Sequence, residues 1–103
     1  MSVIYDVIKE EYNRLNSLIE LYDKKIAESL KGSLSLKKRG NNAYYYLAYR
    51  ENKRIIFHYI GKEGSPQVQD YAGKIEARHK YEEMRKKSKE NLKEIRKLLR
   101  AAI

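Results

Sequence analysis

The sequence predicts an α+β fold: a long amino-terminal helix, a three-stranded antiparallel β-meander, and a long carboxy-terminal helix antiparallel to the first. Three observations predict it. Apolar residues recur at helical spacing over residues 1–31 and again over 65–102, the segment 33–62 between them alternates tyrosine and isoleucine with polar residues, and turn-forming clusters cut that segment into three. A chain of 103 residues is expected to form one domain, residues 1–103.

The first helix has a start signal in Ser2, a residue type that caps helices, with Asp6 near the positive end of the helix dipole. Tyr5, Tyr12, Ile19 and Ile26 recur every seven residues, and Ile8, Leu15 and Tyr22 form a second row beside them. The two rows make one apolar stripe, with Lys, Glu and Asn on the other faces. Gly32, after Lys31, reads as the helix stop.

The meander comes next. Leu34 and Leu36 alternate with Ser33, Ser35 and Lys37, and Arg39-Gly40-Asn41-Asn42 is a turn cluster. Residues 43–50 and 54–60 are rich in tyrosine and isoleucine, with Glu51-Asn52-Lys53 between them, and Gly61 and Gly64 bracket the exit. Three short strands with a limited core need a helix against one face, most simply the start of the second helix.

That second helix opens at Ser65-Pro66, a capping residue followed by proline where a first turn tolerates it. Val68, Tyr71 and Ile75 start its stripe, and Tyr81, Met84, Ser88, Leu92, Ile95, Leu99 and Ala102 continue it. The phase slips between Ile75 and Tyr81, near Gly73, which suggests a bend or a short helix followed by a long one. Glu82 and Lys86, like Glu83 and Lys87, stand at i,i+4 pair spacing, so part of the helix charge reads as a solvated face.

Charge is distributed unevenly. The formal net charge is +9, yet residues 1–30 hold four cations against six anions. Residues 31–62 hold Lys31, Lys37, Lys38, Arg39, Arg50, Lys53, Arg54 and Lys62 against Glu51 alone. The excess is therefore focused on the meander, which points to an anionic partner there. Cysteine is absent, which excludes disulfides and thiolate metal sites. His58 and His79, the two histidines, fall on a strand and a helix without metal spacing, and no phosphate-binding glycine loop or nucleophile motif is present. The expectation is a non-enzyme with no cofactor and no metal. No apolar run approaches the ~20 residues of a membrane span, and the amino terminus lacks the basic-then-apolar order of a signal peptide, so a cytoplasmic location without membrane contact is expected.

Strand alternation divides the meander into two faces. Packing Leu34, Leu36, Tyr45, Leu47, Ile55 and Phe57 inward leaves Ser35, Lys37, Arg39, Tyr44, Tyr46, Arg50, Arg54 and His58 outward. Ile56 and Ile60 fit the outward set badly, which leaves the third strand open to the inverse facing. A narrow ribbon of this kind fits the major groove of B-DNA, about 12 Å wide. Phosphate contacts fall to Lys37, Lys38, Arg39, Lys53, Arg54 and Lys62, and shape or base contacts to Asn41, Asn42, Tyr44 and Tyr46, with Arg50 and His58 beside them.

The stretch KGSLSLKKRGNNAYYYLAYRENKRIIFHYIGKEG, with the helix that follows it, resembles the arm-type DNA-binding domains of phage and transposon integrases. It is also similar to small uncharacterised proteins of prokaryotes and mobile elements with a related core. The resemblance covers roughly residues 31–80. It rests on Gly32-Ser33-Leu34, the Lys38-Arg39-Gly40 turn, the aromatic middle strand, Lys53-Arg54 and Tyr59-Ile60-Gly61-Lys62. It implies a three-stranded sheet in the major groove, supported from behind by the following helix, with Lys37, Arg39, Tyr44, Tyr46, Arg50 and Arg54 as the contact set. The chain departs from that family in its long first helix and in lacking a recombinase catalytic domain, so the binding mode is implied and integration chemistry is not. The expected function is non-catalytic binding of nucleic acid, duplex DNA before RNA. The rival expectation is a phage or mobile-element protein that binds and inhibits a protein partner, such as a nucleic-acid-handling or defence enzyme. Tyrosines in the helical stripe leave a wide seam, through which a homodimer is also expected.

Overall fold

The computed structural model describes residues 2–101, in the order α1 (Val3–Glu28), β1 (Ser33–Arg39), β2 (Asn42–Glu51), β3 (Arg54–Lys62) and α2 (Pro66–Ala101). This is the α+β fold that the sequence predicts. The described residues form two compact units, one of α1 with α2 from Lys80 onward, the other of Ser29–His79.

In the helical unit, the hydroxyl of Ser2 accepts the backbone N–H of Ile4 at 3.1 Å, satisfying one of the amide donors that the first turn leaves free. Asp6 lies in that turn and Lys25 in the last, each complementing the helix dipole. The second heptad row supplies the centre of the packing. Leu15 is 2% exposed, and Tyr22, Ile26 and, from α2, Ser88 and Leu92 are also buried. Tyr5, Ile8, Tyr12 and Ile19 are half-buried around them. Burying a leucine completely contributes about 1.5–3 kcal/mol, so Leu15 is a principal tie between the helices.

The Tyr22 and Tyr81 rings stand 6.3 Å apart, Arg85 Nη1 donates to Asp23 Oδ1 at 2.8 Å, and Asn16 and Ile19 share a hollow with Leu92 and Arg96. Positions that ascend along α1 thus descend along α2, and the helices are antiparallel. Met84, expected on the stripe, is 38% exposed, and half-buried Arg85 lies on the packed side in its place. Ala102 lies outside the described residues. At the surface, Arg14 donates to Glu11 through Nε at 2.9 Å and holds that carboxyl below its usual pKa. Glu83 and Lys87, despite their spacing, form no ion pair among the described residues.

The sheet unit begins at Ser29, because α1 ends at Glu28 and not at residue 31. Gly32 opens the way into β1 with φ +122, and a Cβ there would lie 2.7 Å from the carbonyl oxygen of Ala48. Only glycine meets both demands. The strand order is β1-β2-β3, antiparallel throughout. Each hairpin turns on two residues. Gly40 has φ 60 at the first position of one loop, as a type II′ turn requires, and Asn52 and Lys53, with φ 49 and 66, give the other the signature of a type I′ turn. A bulge opposite Tyr45 and Tyr46 leaves Ile60 without a partner in the ladder.

Ser65 caps α2, its hydroxyl accepting the N–H of Val68 at 3.4 Å. The first turns of α2 lie on one face of the sheet. A Cβ built on buried Gly61 would stand 3.6 Å from Val68 Cγ2, and Tyr71 shares a hollow with Leu47 and Tyr49. Ala43, Leu47, Val68 and Ile75 are the buried apolar residues of this unit. Arg78 Nη1 donates to Ser29 Oγ at 3.0 Å. α2 itself runs unbroken through Gly73. The predicted slip of phase between Ile75 and Tyr81 marks the place, between His79 and Lys80, where α2 passes from one unit to the other. The two stripes need not share one phase because they serve different partners.

Two substitutions test the backbone reading. Lys53 occupies a left-handed conformation that costs a side-chain-bearing residue about 1–2 kcal/mol; less the roughly 0.5–1 kcal/mol of chain entropy that glycine adds to the unfolded state, Lys53→Gly is expected to gain about 1 kcal/mol and raise the thermal midpoint by about 4–8 °C. Gly32→Ala is expected to lower stability by about 1–3 kcal/mol in urea denaturation.

Candidate nucleic-acid interface

Directly opposed residues in an antiparallel pair project from the same face, so the register assigns every side chain. Leu34 opposes Leu47 and Leu36 opposes Tyr45, which puts all four on the α2 side with Ala43 and Tyr49. Ser35 opposes Tyr46, Lys37 opposes Tyr44 and Arg39 opposes Asn42, on the outer side. The division of the middle strand is the expected one, with Tyr45 and Tyr49 inward and Tyr44 and Tyr46 outward.

The third strand corrects the expectation. Arg50 opposes Ile55, Ala48 opposes Phe57 and Tyr46 opposes Tyr59, so Ile55, Phe57 and Tyr59 join the outer face. Ile55 is 59% exposed, Phe57 48% and Tyr59 51%. Arg54 and His58, expected outward, oppose Glu51 and Leu47 and belong to the α2 side. The reason is the loop. A three-residue connection, Glu51-Asn52-Lys53, would pair Arg50 with Arg54, whereas the two-residue connection pairs Glu51 with Arg54 and shifts the register by one, which reverses every side chain of β3.

The outer face therefore carries Lys37 and Arg39 from β1, Asn42, Tyr44, Tyr46 and Arg50 from β2, and Lys62, which opposes Tyr44, from β3. Asn41 and Lys53 lie in the two hairpin loops. Lys38 opposes Ala43 and projects from the α2 side, where it is exposed. Of the expected contact residues, the structure brings seven onto one face and separates Lys38, Arg54 and His58 from them. The face has four cations and no carboxylate.

Its rings form a connected cluster. Tyr59 stands 5.5 Å from Tyr46, edge to face, and 6.3 Å from Tyr44. Lys37 Nζ lies 4.9 Å from the Tyr46 ring centre and 4.3 Å from that of Phe57. Such contacts stabilise by about 0.5–1 kcal/mol at exposed sites and hold the ammonium over the middle of the sheet instead of leaving it free in solvent. Arg39 joins Tyr44, Tyr46 and Tyr59 around a shallow hollow. Chemically, this surface offers ring faces and edges for stacking, phenolic hydroxyls for hydrogen bonds, and fixed positive charge for phosphate or carboxylate.

The opposite side of the sheet has a second hollow, where exposed His58 meets Leu30, Lys31, Leu47, Tyr49 and Tyr71. No group of three or more His, Cys, Asp or Glu converges as a metal site among the described residues. Nor is any described helix long and apolar enough to cross a membrane.

The family model described as Domain of unknown function (DUF6788) matches residues 7–70, more than half of the chain, and spans the whole meander. Comparison with curated proteins finds no match, and comparison with solved structures finds none.

The corrected facing has a measurable consequence. Leu47→Ala is expected to cost about 2–5 kcal/mol, as for other buried leucines, and Phe57→Ala no more than about 1 kcal/mol, both by urea denaturation. Equal losses would return Phe57 to the core.

Proposed function

The chain belongs to that family, whose description assigns no activity, and from the outer sheet face we propose that it is a non-catalytic nucleic-acid-binding protein that binds double-stranded DNA. The observation that carries this reading is one sheet face on which Lys37, Arg39, Arg50 and Lys62 surround exposed aromatic rings without a single carboxylate.

Phosphate is the ligand that four unopposed cations favour, and contacts to it supply affinity with a strong dependence on salt. A three-stranded sheet measures about 10 Å between its outer strands, two inter-strand spacings, which matches a major groove about 12 Å wide. Lys37 and Arg39 on β1 and Arg50 and Lys62 on the neighbouring strands take the phosphates. Tyr44, Tyr46, Tyr59 and Asn42 lie toward the base edges, where ring and amide groups read shape and hydrogen-bonding pattern. The resemblance to arm-type domains supports the same binding mode. Asn41 and Lys53, at the hairpin tips, reach the duplex beside the face.

A second reading is favoured by a specific observation. Ile55, Phe57 and Tyr59 expose apolar surface on the same face, and contiguous apolar surface with aromatic residues and a cationic rim is also what a protein partner engages. Salt separates the two readings. Binding of a labelled random-sequence duplex that weakens steeply as salt rises supports nucleic acid, and no duplex binding even at low salt supports a protein partner.

The triple variant Lys37→Ala, Arg39→Ala, Arg50→Ala is expected to weaken duplex binding about 100-fold and to lower the slope of log affinity against log salt by about 3, with the circular dichroism spectrum unchanged. Arg54→Ala, on the opposite side of the sheet, is the control and is expected to leave the affinity within about twofold. Unchanged binding by the triple variant would remove the sheet face from the interface.

A further inference from the structure

In the helical unit, Lys89, Lys93, Arg96, Lys97 and Arg100 of α2 line one hollow with Ile19 and Leu92 at its base. All five cations are exposed, and Leu92 is 5% exposed. Asn16 completes the rim from α1, its amide nitrogen donating to the Tyr12 carbonyl at 3.1 Å. No carboxylate lines the hollow.

The helices pair cations with acids elsewhere: Arg14 with Glu11, Lys74 with Asp70, Arg85 with Asp23. None of the five does so among the described residues. Glu90 and Glu94 are within one turn, at i−3 from Lys93 and Lys97, yet neither closes an ion pair with them. The sequence instead sets like charges at helix-neighbour spacing, Lys89 to Lys93 to Lys97 and Arg96 to Arg100, an arrangement that weakens a helix in the absence of an anion. Buried Leu92 and half-buried Ile19 keep water from one side of the row, which strengthens its field.

We propose that this row is a second nucleic-acid contact, a track for the sugar-phosphate backbone that is independent of the sheet face. The dimensions agree. From Lys89 to Arg100 the helix rises about 17 Å at 1.5 Å per residue. One strand of duplex DNA rises ~3.4 Å per phosphate while winding around the axis, so a straight row of this length meets about two or three successive phosphates, which the five cations surround. Flexible, exposed lysines with no aromatic neighbour, beside an amide (Asn16) that already donates to the Tyr12 carbonyl, suit backbone contact without sequence preference. The row shares with the sheet reading only the class of ligand.

The test compares the wild-type chain, the variant Lys89→Ala, Lys93→Ala, Lys97→Ala, its Lys→Arg counterpart, and the sheet triple variant, all titrated with a labelled random-sequence duplex over a range of salt. Alanine is the best helix former, so loss of the fold does not confound the result. The alanine variant is expected to lower the slope of log affinity against log salt by close to 3, about 0.9 per lost contact, and the arginine variant to keep the wild-type slope. A wild-type slope and affinity in the alanine variant overturns the track, whatever the sheet variant does. A loss in the alanine variant alongside normal binding by the sheet variant keeps the track and removes the sheet face. If the wild-type chain binds anionic lipid vesicles or poly-glutamate through these lysines and no duplex at any salt, the track is likewise overturned.

Discussion

What the sheet presents depends on the two residues of one loop. Asn52 and Lys53 both adopt positive φ, the geometry that joins antiparallel strands through a two-residue turn whose twist matches theirs. That turn pairs Glu51 with Arg54, and every later pair follows: Arg50 with Ile55, Ala48 with Phe57, Tyr46 with Tyr59. Because side chains alternate with a period of two, a loop one residue longer would send Phe57 and Tyr59 toward α2 and bring His58 and Arg54 outward. The cation–π contact of Lys37 with Phe57 and the ring cluster around Tyr59 exist only in the observed register. A single asparagine-lysine pair thus decides whether Ile55, Phe57 and Tyr59, or Arg54 and His58, join Tyr44 and Tyr46 on the outer face.

Much of this was legible in the residues, and the exceptions have specific causes. Ser2 and Ser65 were readable as caps because few residue types can satisfy a free helical amide, and both do so. Gly32 was readable as a break, although its reason is as much the carbonyl of Ala48 as the end of a helix four residues earlier. The middle strand divided correctly because tyrosine on alternate positions is tolerant of either face and Leu47 decides between them. The third strand did not, because apolar residues at 55, 56, 57 and 60 satisfy a core in either parity, so composition cannot choose. The signal that can choose is loop length, two residues and not three, marked by asparagine at its first position. Met84 failed for another reason: helical spacing near a change of partner loses its phase, and Arg85 can lie on the packed side while its guanidinium reaches Asp23.

The two cationic surfaces differ in ways that matter physically. On the sheet, Lys37 is held over two rings, so part of the entropy needed to fix its side chain has been lost before any ligand arrives. Its neighbours Tyr44, Tyr46 and Tyr59 are short, stiff and immobilised by one another. Such a surface favours one orientation of what it binds. Lys89, Lys93 and Lys97 of α2 have long arms without ring contacts, and Ile19 and Leu92 share their hollow without fixing their heads. They favour charge over orientation. Affinity and specificity are then expected from different elements, a division that phosphate and base contacts generally follow in proteins that bind duplexes.

The exposed apolar side chains decide how strongly the sheet face points to a groove. Ile55, Phe57 and Tyr59 stay in water at a free-energy cost that burial on the α2 side would have avoided, so a ligand that covers them gains what the fold left unused. An isolated phosphate or a carboxylate would satisfy Lys37, Arg39, Arg50 and Lys62 but leave those rings wet. A major groove offers both environments in the right order, with phosphates along its walls and, on its floor, base edges that include the thymine methyl. The face has the same order, with rings at the centre of β2 and β3 and cations on β1 and toward the strand ends. A protein surface could reproduce that order only by placing an apolar ridge between two acidic rows. The duplex has it in every turn, and for that reason the groove is the simpler complement to this sheet.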